Sequence, residues 1–505
     1  MAQKKQVLLI AYLFPPIGGG GVQRAVKMAR YLGEFGWKVH VLTVDPVYHA
    51  TLDESLLAEI PDDVVIHRCP EDEGWLNRLR LKQQLAITGG SGGDAKDASR
   101  TAEGADVKPR AGRSASLKSG LIKMMKKVKN AVLIPDDQIL WYPAAKKKGL
   151  EIVRTYGIDA IVSTSGPHTN HLIARYLKRK TGLPWIADFR DPWTQNMHRS
   201  GIWWRERIEE RLERSVHREA NITLTVTHSF ARNFNEKFGA AIERLEVIHN
   251  GYDPADYAEL EHLKKDPADA DRCVLMYAGI FYQKRNPRLL LRAVKELIDE
   301  GDIDRNRIVL RFAGVFDYPG YSDNIDAVRE LGLTDIVEVV GNLPHKQALA
   351  EMKRSDILLL IGDTAPGSGN YIPGKLFEYM AVGKPILALS MPGESTRIIE
   401  KYHLGEAADP LSLDEVKRAF LKLYRDWEKS RDAEAESSGP QAEGEIMTDE
   451  RPPALERQPS GENGHADKHR EQPGAPRPSS TLIYQRREQA RRLAELLNEI
   501  TGSRR

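Results

Sequence analysis

The residues best suited to chemistry stand in a few glycine-rich and cationic clusters. Gly367-Ser368-Gly369-Asn370-Tyr371-Ile372-Pro373-Gly374-Lys375 leads into an expected helix that carries Glu378. Gly279 ends an expected strand and is followed by Lys284-Arg285-Asn286-Pro287. Cations beside a glycine-rich turn and a helix N-terminus suit a diphosphate, because free N–H groups and the positive dipole end face the anion. One turn inside the helix, Glu378 offers the acceptor pair that two neighbouring hydroxyls require, as on a ribose. Taken singly, each of these features is better read as surface cations and an ordinary exposed glutamate. A third cluster, Pro15-Pro16-Ile17-Gly18-Gly19-Gly20-Gly21, opens a helix at Val22. Its glycines, Gly19 and Gly20 among them, let the backbone approach a phosphate or a sugar, or simply form a flexible turn. The spacing breaks the dinucleotide fingerprint, and no Gly-Lys-Ser/Thr follows, so the loop demands neither NAD nor ATP. No clustered set of Asp or His ligands is read beside these motifs, and no metal is expected. Cys69 and Cys273 lie far apart and read as two buried small residues.

These clusters need elements to hold them. With 505 residues, the chain suggests two or three domains at about 150 residues each. The longest apolar runs, Val7 to Phe14 and Ile357 to Ile361, fall short of the roughly 20 residues of a spanning helix, and Met1 to Gln6 has no signal-peptide layout. The expected location is cytoplasmic. A net charge of +2 argues against a nucleic-acid partner. Strands are expected at Val7 to Phe14, Lys38 to Val44, Ile158 to Ser163, Trp185 to Phe189 and Ile222 to Val226, with helices between them. The rhythm restarts after Asn250-Gly251 with strands at Val274 to Gly279, Ile308 to Gly314, Ile336 to Gly341, Ile357 to Ile361 and Pro385 to Leu389. Strands alternating with helices imply an α/β chain of two doubly wound, Rossmann-like parallel-sheet domains, with ligands in the cleft they face. Residues 1–250 form the first domain, with 86–116 a disordered insertion, and 251–428 the second. Residues 429–480 read as disordered, since Ile446, Met447 and Leu455 are their only large apolar residues. Residues 481–501 form a terminal helix whose stripe of Leu493, Leu496, Leu497 and Ile500 must dock to be stable.

Taken together and in order, these motifs resemble those of family-four GT-B glycosyltransferases. The resemblance rests on Ala278-Gly279 through Arg285-Asn286-Pro287, on Ile372 through Ile386, on Val247-Ile248-His249-Asn250-Gly251-Tyr252-Asp253 and on the first glycine loop. Ala187-Asp188-Phe189-Arg190-Asp191-Pro192-Trp193 looks like a bacterial surface-polysaccharide branch of that family. The resemblance implies a nucleotide diphosphate sugar held mainly in the C-terminal domain and a saccharide or lipid-linked acceptor in the N-terminal domain. It also implies transfer with retention and without an obligatory metal or other cofactor, and a terminal helix that crosses back to the N-terminal domain. Carried over by position, Glu378 would bind the ribose hydroxyls, Arg285 with Lys284 the diphosphate, and the Gly374-Lys375 helix start the phosphates. Three departures are visible. Ile280 follows Gly279 where relatives often have Arg. Asn370 stands where they have the first of two paired glutamates, and an amide still hydrogen-bonds a sugar hydroxyl but is no carboxylate. Arg190 occupies the slot of a frequent His; it could neutralise a leaving diphosphate, with Asp188 or Asp191 orienting the acceptor hydroxyl. His168, in Ser165-Gly166-Pro167-His168, is the nearest imidazole candidate, and an N-cap or core role serves it equally well.

Between Val107 and Pro135 there is no acidic residue, while eight Lys and Arg side chains are present. Leu121, Met124, Met125, Val128 and Val132 share one helical face there, with Lys123, Lys126 and Lys127 opposite. That layout suits an interfacial helix on an anionic membrane surface, peripheral on its inner face, or a core-facing helix with a solvated basic back. Trp203-Trp204 beside Arg205 reads as a second interfacial contact or as helix packing. Two other functions stand beside the transferase: a GT-B relative that binds the donor without turnover, and, weakened by the broken fingerprint, an NAD-dependent dehydrogenase suggested by Asp45 at the end of the second strand.

Overall fold

The computed structural model describes residues 4–19, 21–49, 52–71, 132–196, 201–281, 285–318, 321–437 and 481–502. Gly20, Lys284, the 86–116 insertion, all of 438–480 and all of Leu121 to Val132 but Val132 lie outside them. The chain divides into two compact units. The first comprises the described residues of Met1–Asp256, Asn370–Glu378 and Thr481–Arg505, and the second those of Tyr257–Gly369 and Tyr379–Ser480.

The first unit holds seven strands, β1 (Lys5–Ile10), β2 (Trp37–Val44), β3 (Val65–Cys69), β4 (Ala160–Thr164), β5 (Trp185–Phe189), β6 (Ile222–Thr225) and β7 (Leu245–Val247). All pair in parallel, in the order β3-β2-β1-β4-β5-β6-β7. Helices α1 (Gln23–Leu32), α2 (Tyr142–Tyr156), α3 (Thr169–Thr181), α4 (Trp203–Glu219) and α5 (His228–Phe238) connect them. The inner strands β1, β4 and β5 read as nearly continuous apolar runs because helices cover both faces of a parallel sheet. The second unit repeats the plan with β8 (Cys273–Ile280), β9 (Ile308–Val315), β10 (Val337–Gly341), β11 (Ile357–Ile361), β12 (Ile386–Leu389) and β13 (Gly405–Ala408), in the parallel order β10-β9-β8-β11-β12-β13. Its helices are α6 (Arg288–Asp299), α7 (Asp323–Glu330), α8 (His345–Arg354), α10 (Glu394–Lys401) and α11 (Leu413–Ser437), while α9 (Gly374–Val382) is shared, its residues up to Glu378 grouping with the first unit. A last helix, α12 (Arg486–Gly502), lies along α1 in the first unit, where it buries Leu493, Leu496 and Leu497.

Three differences from the sequence reading have physical causes. The first strand stops at Ile10, and Ala11, Tyr12 and Phe14 are buried in a turn rather than in the sheet. Strands β3, β7 and β13 went unread, because each lies at a sheet edge and is only 3 to 5 residues long. Helix α11 runs to Ser437, nine residues past the expected boundary at 428, since Glu, Lys, Arg and Ala favour helix even after Trp427, the last large buried side chain.

Three imidazoles pack around the buried Phe189 at the end of β5. The ring of His171 lies 4.3 Å from that of Phe189 and the ring of His217 4.7 Å, with His168 at 6.5 Å. Burial holds His168 and His217 down to about 3, and His171 well below the ordinary imidazole value. It pushes two carboxyls the other way, Glu213 to about 7 and Asp136 to about 6. Glu213 accepts from the N–H groups of Trp193 (3.2 Å) and Thr194 (3.0 Å), while Asp136 accepts from the N–H and hydroxyl of Thr169 at the start of α3.

Two predictions follow from this packing. Leu497→Ala removes a wholly buried side chain between α12 and the rest of the first unit and is expected to cost about 2–5 kcal/mol, read as a lower urea midpoint with an unchanged slope. For pH, an imidazole with a depressed folded pKa contributes stability that is complete above the unfolded value near 6.5 and is lost as pH falls toward the folded value. The raised carboxyls act oppositely, their contribution being lost as pH rises through about 6 and about 7. His40 and His67 are lowered as well, and Asp191 and Asp256 are raised, though by less than Asp136 and Glu213, so the five imidazoles outweigh the four raised carboxyls. The urea midpoint is therefore expected to fall between about pH 7 and about pH 5, and His171→Asn to flatten that fall by up to one proton. A midpoint that rises on acidification would contradict this.

Candidate functional site

In doubly wound sheets, ligands meet the carboxyl ends of the strands where the strand order reverses. In the first unit that point lies between β1 and β4. The loop that leaves β1 carries Gly19 and Gly21, and the loop that leaves β4 carries Ser165 to His168. The next strand, β5, ends in Asp188-Phe189 and passes to Arg190 and Asp191.

Arg24, in the first turn of α1, is buried and forms a bidentate pair with the wholly buried Asp188, Nε to Oδ2 at 2.9 Å and Nη2 to Oδ1 at 2.8 Å. Its remaining hydrogens go to the carbonyls of His249 (2.8 Å) and Ile248 (3.1 Å) and to the Asn250 side chain (3.4 Å). Thr164 donates its hydroxyl to Asp188 Oδ2 at 2.8 Å. Asp188 was read as a group that orients an acceptor hydroxyl; here both its oxygens are taken, and what it orients is Arg24. Asp191 is exposed.

Arg190 is half-buried, and its guanidinium donates to three backbone carbonyls, those of Ser165 (2.5 Å), Gly166 (3.3 Å) and Gly21. Carbonyls satisfy its hydrogens without cancelling its charge. Arg486, at the start of α12, belongs to the same cationic group: burial, together with Arg24 and Arg190 nearby, lowers its pKa. His168 stacks on Trp193 at 4.9 Å with the planes 7° apart, and its Nδ1 is buried without a hydrogen-bond partner. Its depressed pKa makes it a neutral imidazole at physiological pH. The structure therefore gathers Gly21, His168, Arg190 and the buried Asp188 at one end of the sheet, and adds Arg24 and Arg486. Sequence reasoning passed over both. Arg24 follows the glycine loop among apolar helix positions, a signal that was present, whereas Arg486 is separated from the loop by most of the chain.

The linker after β7 is held just as firmly. Lys27 of α1, only 2% exposed in its side chain, pairs with Asp253 and Asp256, each at 2.8 Å, and with Glu59 at 2.7 Å. Tyr31 donates its hydroxyl to Asp253 at 2.6 Å. The backbone of Tyr252 exchanges two 2.9 Å hydrogen bonds with Tyr484 and Arg486, so the strand leading away from the sheet lies beside the segment that returns to it. Gly251 is required there, since a Cβ would stand 1.8 Å from the Tyr484 carbonyl oxygen.

In the second unit the order reverses between β8 and β11. Gly279, the last but one residue of β8, lies against Gly314 of β9, where a Cβ would sit 2.1 Å from the Gly279 carbonyl oxygen. Ile280 follows with 41% exposure, and Arg285 is half-buried. The loop after β11 leads to α9, with Gly374 exposed at its start and Asn370, Lys375 and Glu378 half-buried. Tyr379 anchors that helix by donating to the Leu359 carbonyl of β11 at 3.0 Å. Asn370, Gly374, Lys375 and Glu378 group with the first unit, where Tyr371 meets Phe230 edge-on at 4.8 Å, while Gly279 and Arg285 belong to the second. Among the described residues no three His, Cys, Asp or Glu side chains are grouped to hold a metal, and no helix is long and apolar enough to cross a membrane.

Comparison with known proteins agrees with this geometry. Residues 109–256 match the model described as Glycosyltransferase Family 4, and residues 259–438 the model described as Glycosyl transferases group 1, together more than half of the chain. The D-inositol 3-phosphate glycosyltransferase 1 of Catenulispora acidiphila is 29% identical over 200 residues, 36% of this chain and 45% of that protein. The D-inositol 3-phosphate glycosyltransferase of Kineococcus radiotolerans is 24% identical over 225 residues, 42% of this chain and 50% of that protein. The chain thus spans about half the length of the curated relatives it matches. A crystal structure of a glycosyltransferase from Rickettsia africae shares the fold, with a TM-score of 0.55 at 12% identity over 98% of each chain. Two parallel-sheet Rossmann-like units, matched in order by two glycosyltransferase family models, give this chain the GT-B fold.

Proposed function

We propose that the protein transfers a glycosyl group from a nucleotide diphosphate sugar to a saccharide or lipid-linked acceptor, with retention of anomeric configuration, in cell-surface polysaccharide synthesis. The observation that carries the reading is the start of α9, where Gly374 and Lys375 open a helix whose half-buried Glu378 stands one turn inside. Its N-terminal N–H groups and Lys375 suit the phosphates, and the Glu378 carboxylate suits a pair of ribose hydroxyls. Arg285, with Lys284, adds charge for the diphosphate, and Gly279 leaves room for it beside the strand end. Asn370 offers its amide to a sugar hydroxyl.

In the transfer, the bond from the anomeric carbon to the diphosphate oxygen breaks and the acceptor oxygen bonds to that carbon. The acceptor proton must find a base, and the charge on the departing diphosphate must find cations. Arg285, Lys375 and Arg190 are assigned the second task, which requires no divalent ion or other cofactor. His168, neutral, and Asp191, exposed, are the candidates for the first, with Asp188 acting through Arg24. The glycine loop at Gly19 to Gly21 faces the donor or the acceptor sugar. The protein works in the cytoplasm, attached to an anionic inner membrane face through Leu121 to Val132, with no nucleic-acid partner.

Glu378→Ala and Arg285→Ala are each expected to weaken donor binding by about 1 kcal/mol or more, roughly fivefold, without lowering thermal stability. Protection against thermal unfolding by a panel of UDP-, GDP- and ADP-sugars measures this and identifies the base. Unchanged affinity in both variants would remove the assignment. Turnover is further expected to persist in excess EDTA and to give the retained anomer by NMR. Activity lost to EDTA and restored by magnesium or manganese would refute metal independence, and an inverted anomer would refute retention. A second reading, a relative that binds donor without turning it over, is favoured by Asn370 and Ile280 and would show binding with no product in either condition.

A further inference from the structure

Helix α4 presents an outer face of aromatic and cationic side chains. At 100° per residue, Trp203, Arg214, Arg207, Arg218, Arg211, Trp204, Ser215 and Ile208 fall in that angular order within about 140° of one another. No acidic residue falls in this sector; Glu206, Glu209, Glu210, Glu213 and Glu219 all lie on the remaining arc, with Glu210 and Glu219 at its two edges. The indole of Trp203 is 72% exposed, and Trp204 and Ile208 are 36% and 39% exposed. Arg207 and Arg211 are exposed as well, and no ion pair joins either to a described carboxylate. Arg214 and Arg218 lean to flanking glutamates, Glu210 at 3.3 Å and Glu219 at 4.0 Å, across exposed contacts that solvent weakens. The opposite face is fixed in the unit: Arg205 donates to the Pro135 carbonyl at 2.9 Å and pairs with Glu209 at 2.8 Å, and Glu213, Val216 and His217 are buried. The helix is thus fixed in the unit with Trp203 and its cationic side turned outward.

We infer that this face of α4 docks the protein on an anionic lipid surface, with Trp203, Trp204 and Ile208 entering the headgroup region and Arg207, Arg211, Arg214 and Arg218 pairing with lipid phosphates. Indoles favour the membrane interface, where an apolar ring and a polar N–H are both accommodated, and a row of arginines free of acids on its own face is complementary to negative charge. Two indoles and an isoleucine at one end of the row suit a headgroup interface, where apolar side chains enter beside paired phosphates. The acid-free stretch from Val107 returns to the described structure at Val132, 69% exposed, and the Pro135 to which Arg205 donates lies just beyond, so the most basic segment of the sequence rejoins the fold beside this helix. The inference gives the membrane reading above a second and located surface, and it does not depend on the transfer chemistry.

The test uses the purified full chain and sedimentation with vesicles of phosphatidylcholine, with and without phosphatidylglycerol. Binding is expected only with phosphatidylglycerol and should decline as sodium chloride rises. Arg207→Gln with Arg211→Gln, and separately Trp203→Ala with Trp204→Ala, should weaken binding by about tenfold or more, while Arg207→Lys with Arg211→Lys should retain most of it. Tryptophan quenching by brominated lipid should fall in the double-alanine variant, and circular dichroism of each variant confirms the fold. No binding to either vesicle, equal binding to neutral vesicles, or equal binding by all variants would overturn the inference, the last assigning attachment to Leu121 to Val132 instead. Capture by a single-stranded RNA homopolymer with no vesicle binding would overturn it in favour of a nucleic acid. Donor turnover with a soluble sugar acceptor is followed in parallel, so that failure of the transferase reading registers separately from failure of the docking face.

Discussion

A buried guanidinium paired with a buried carboxylate, Arg24 with Asp188, holds together the end of the first sheet on which the rest of that unit's site depends. Two charges removed from water are tolerated only when each is matched and every remaining hydrogen is placed; leaving one of them alone would cost several kcal/mol, roughly 3–5. Arg24 meets that condition with one carboxylate and three further acceptors drawn from His249, Ile248 and Asn250. It thereby ties the helix after the glycine loop, the tip of β5 and the segment leaving β7 to a single point. Apolar packing alone would tolerate a slide of α1 along the sheet, whereas a bidentate pair does not.

The same logic explains why α1 carries polar residues on buried faces. The helix is covered by the sheet on one side and by α12 on the other, so Lys27 and Tyr31 are enclosed along with Val26 and Ala29. Lys27 answers with three carboxylates, two of them from the linker at Asp253 and Asp256. Its ammonium is held about a unit or more above its ordinary value by those partners despite burial, at about 12, so the pair stays ionised throughout the physiological range. Positioning of the linker thus rests on charge, while attachment of α12 rests on Leu493, Leu496 and Leu497.

Around this frame the cations are in excess. Arg190 spends its hydrogens on carbonyls, Arg486 adds a second guanidinium, and the wholly buried carboxylate among them, Asp188, is already bound to Arg24, while Asp191 beside Arg190 is exposed. A region so arranged, beside a glycine loop and a helix N-terminus, is prepared for an anionic ligand. The outer face of α4 presents the contrasting arrangement, cations beside exposed indoles on a convex helix, which suits an extended surface rather than a bound small molecule.

Periodicity and strand-end motifs, read from the sequence by itself, determined the parallel α/β plan, the restart after Asn250-Gly251 and most of the inner strands, because a strand buried on both faces must be apolar throughout. They also placed Gly279, Gly374 and Glu378 at strand ends or helix starts, since glycine and helix-opening signals are local. Short edge strands such as Leu245–Val247 carry no such signal, because pairing on one side alone asks little of their side chains. Which charges are buried was decided only in three dimensions. Asp188 looks like any carboxylate at a strand end until Arg24 and Thr164 close on both its oxygens, and Trp203 fits packing or an interface equally well until its helix turns it to solvent. Arg486 joins Arg24 and Arg190 across most of the chain's length, and the reason is general: ion pairing and exposure are properties of what surrounds a side chain, and folding, rather than spacing along the chain, supplies those surroundings.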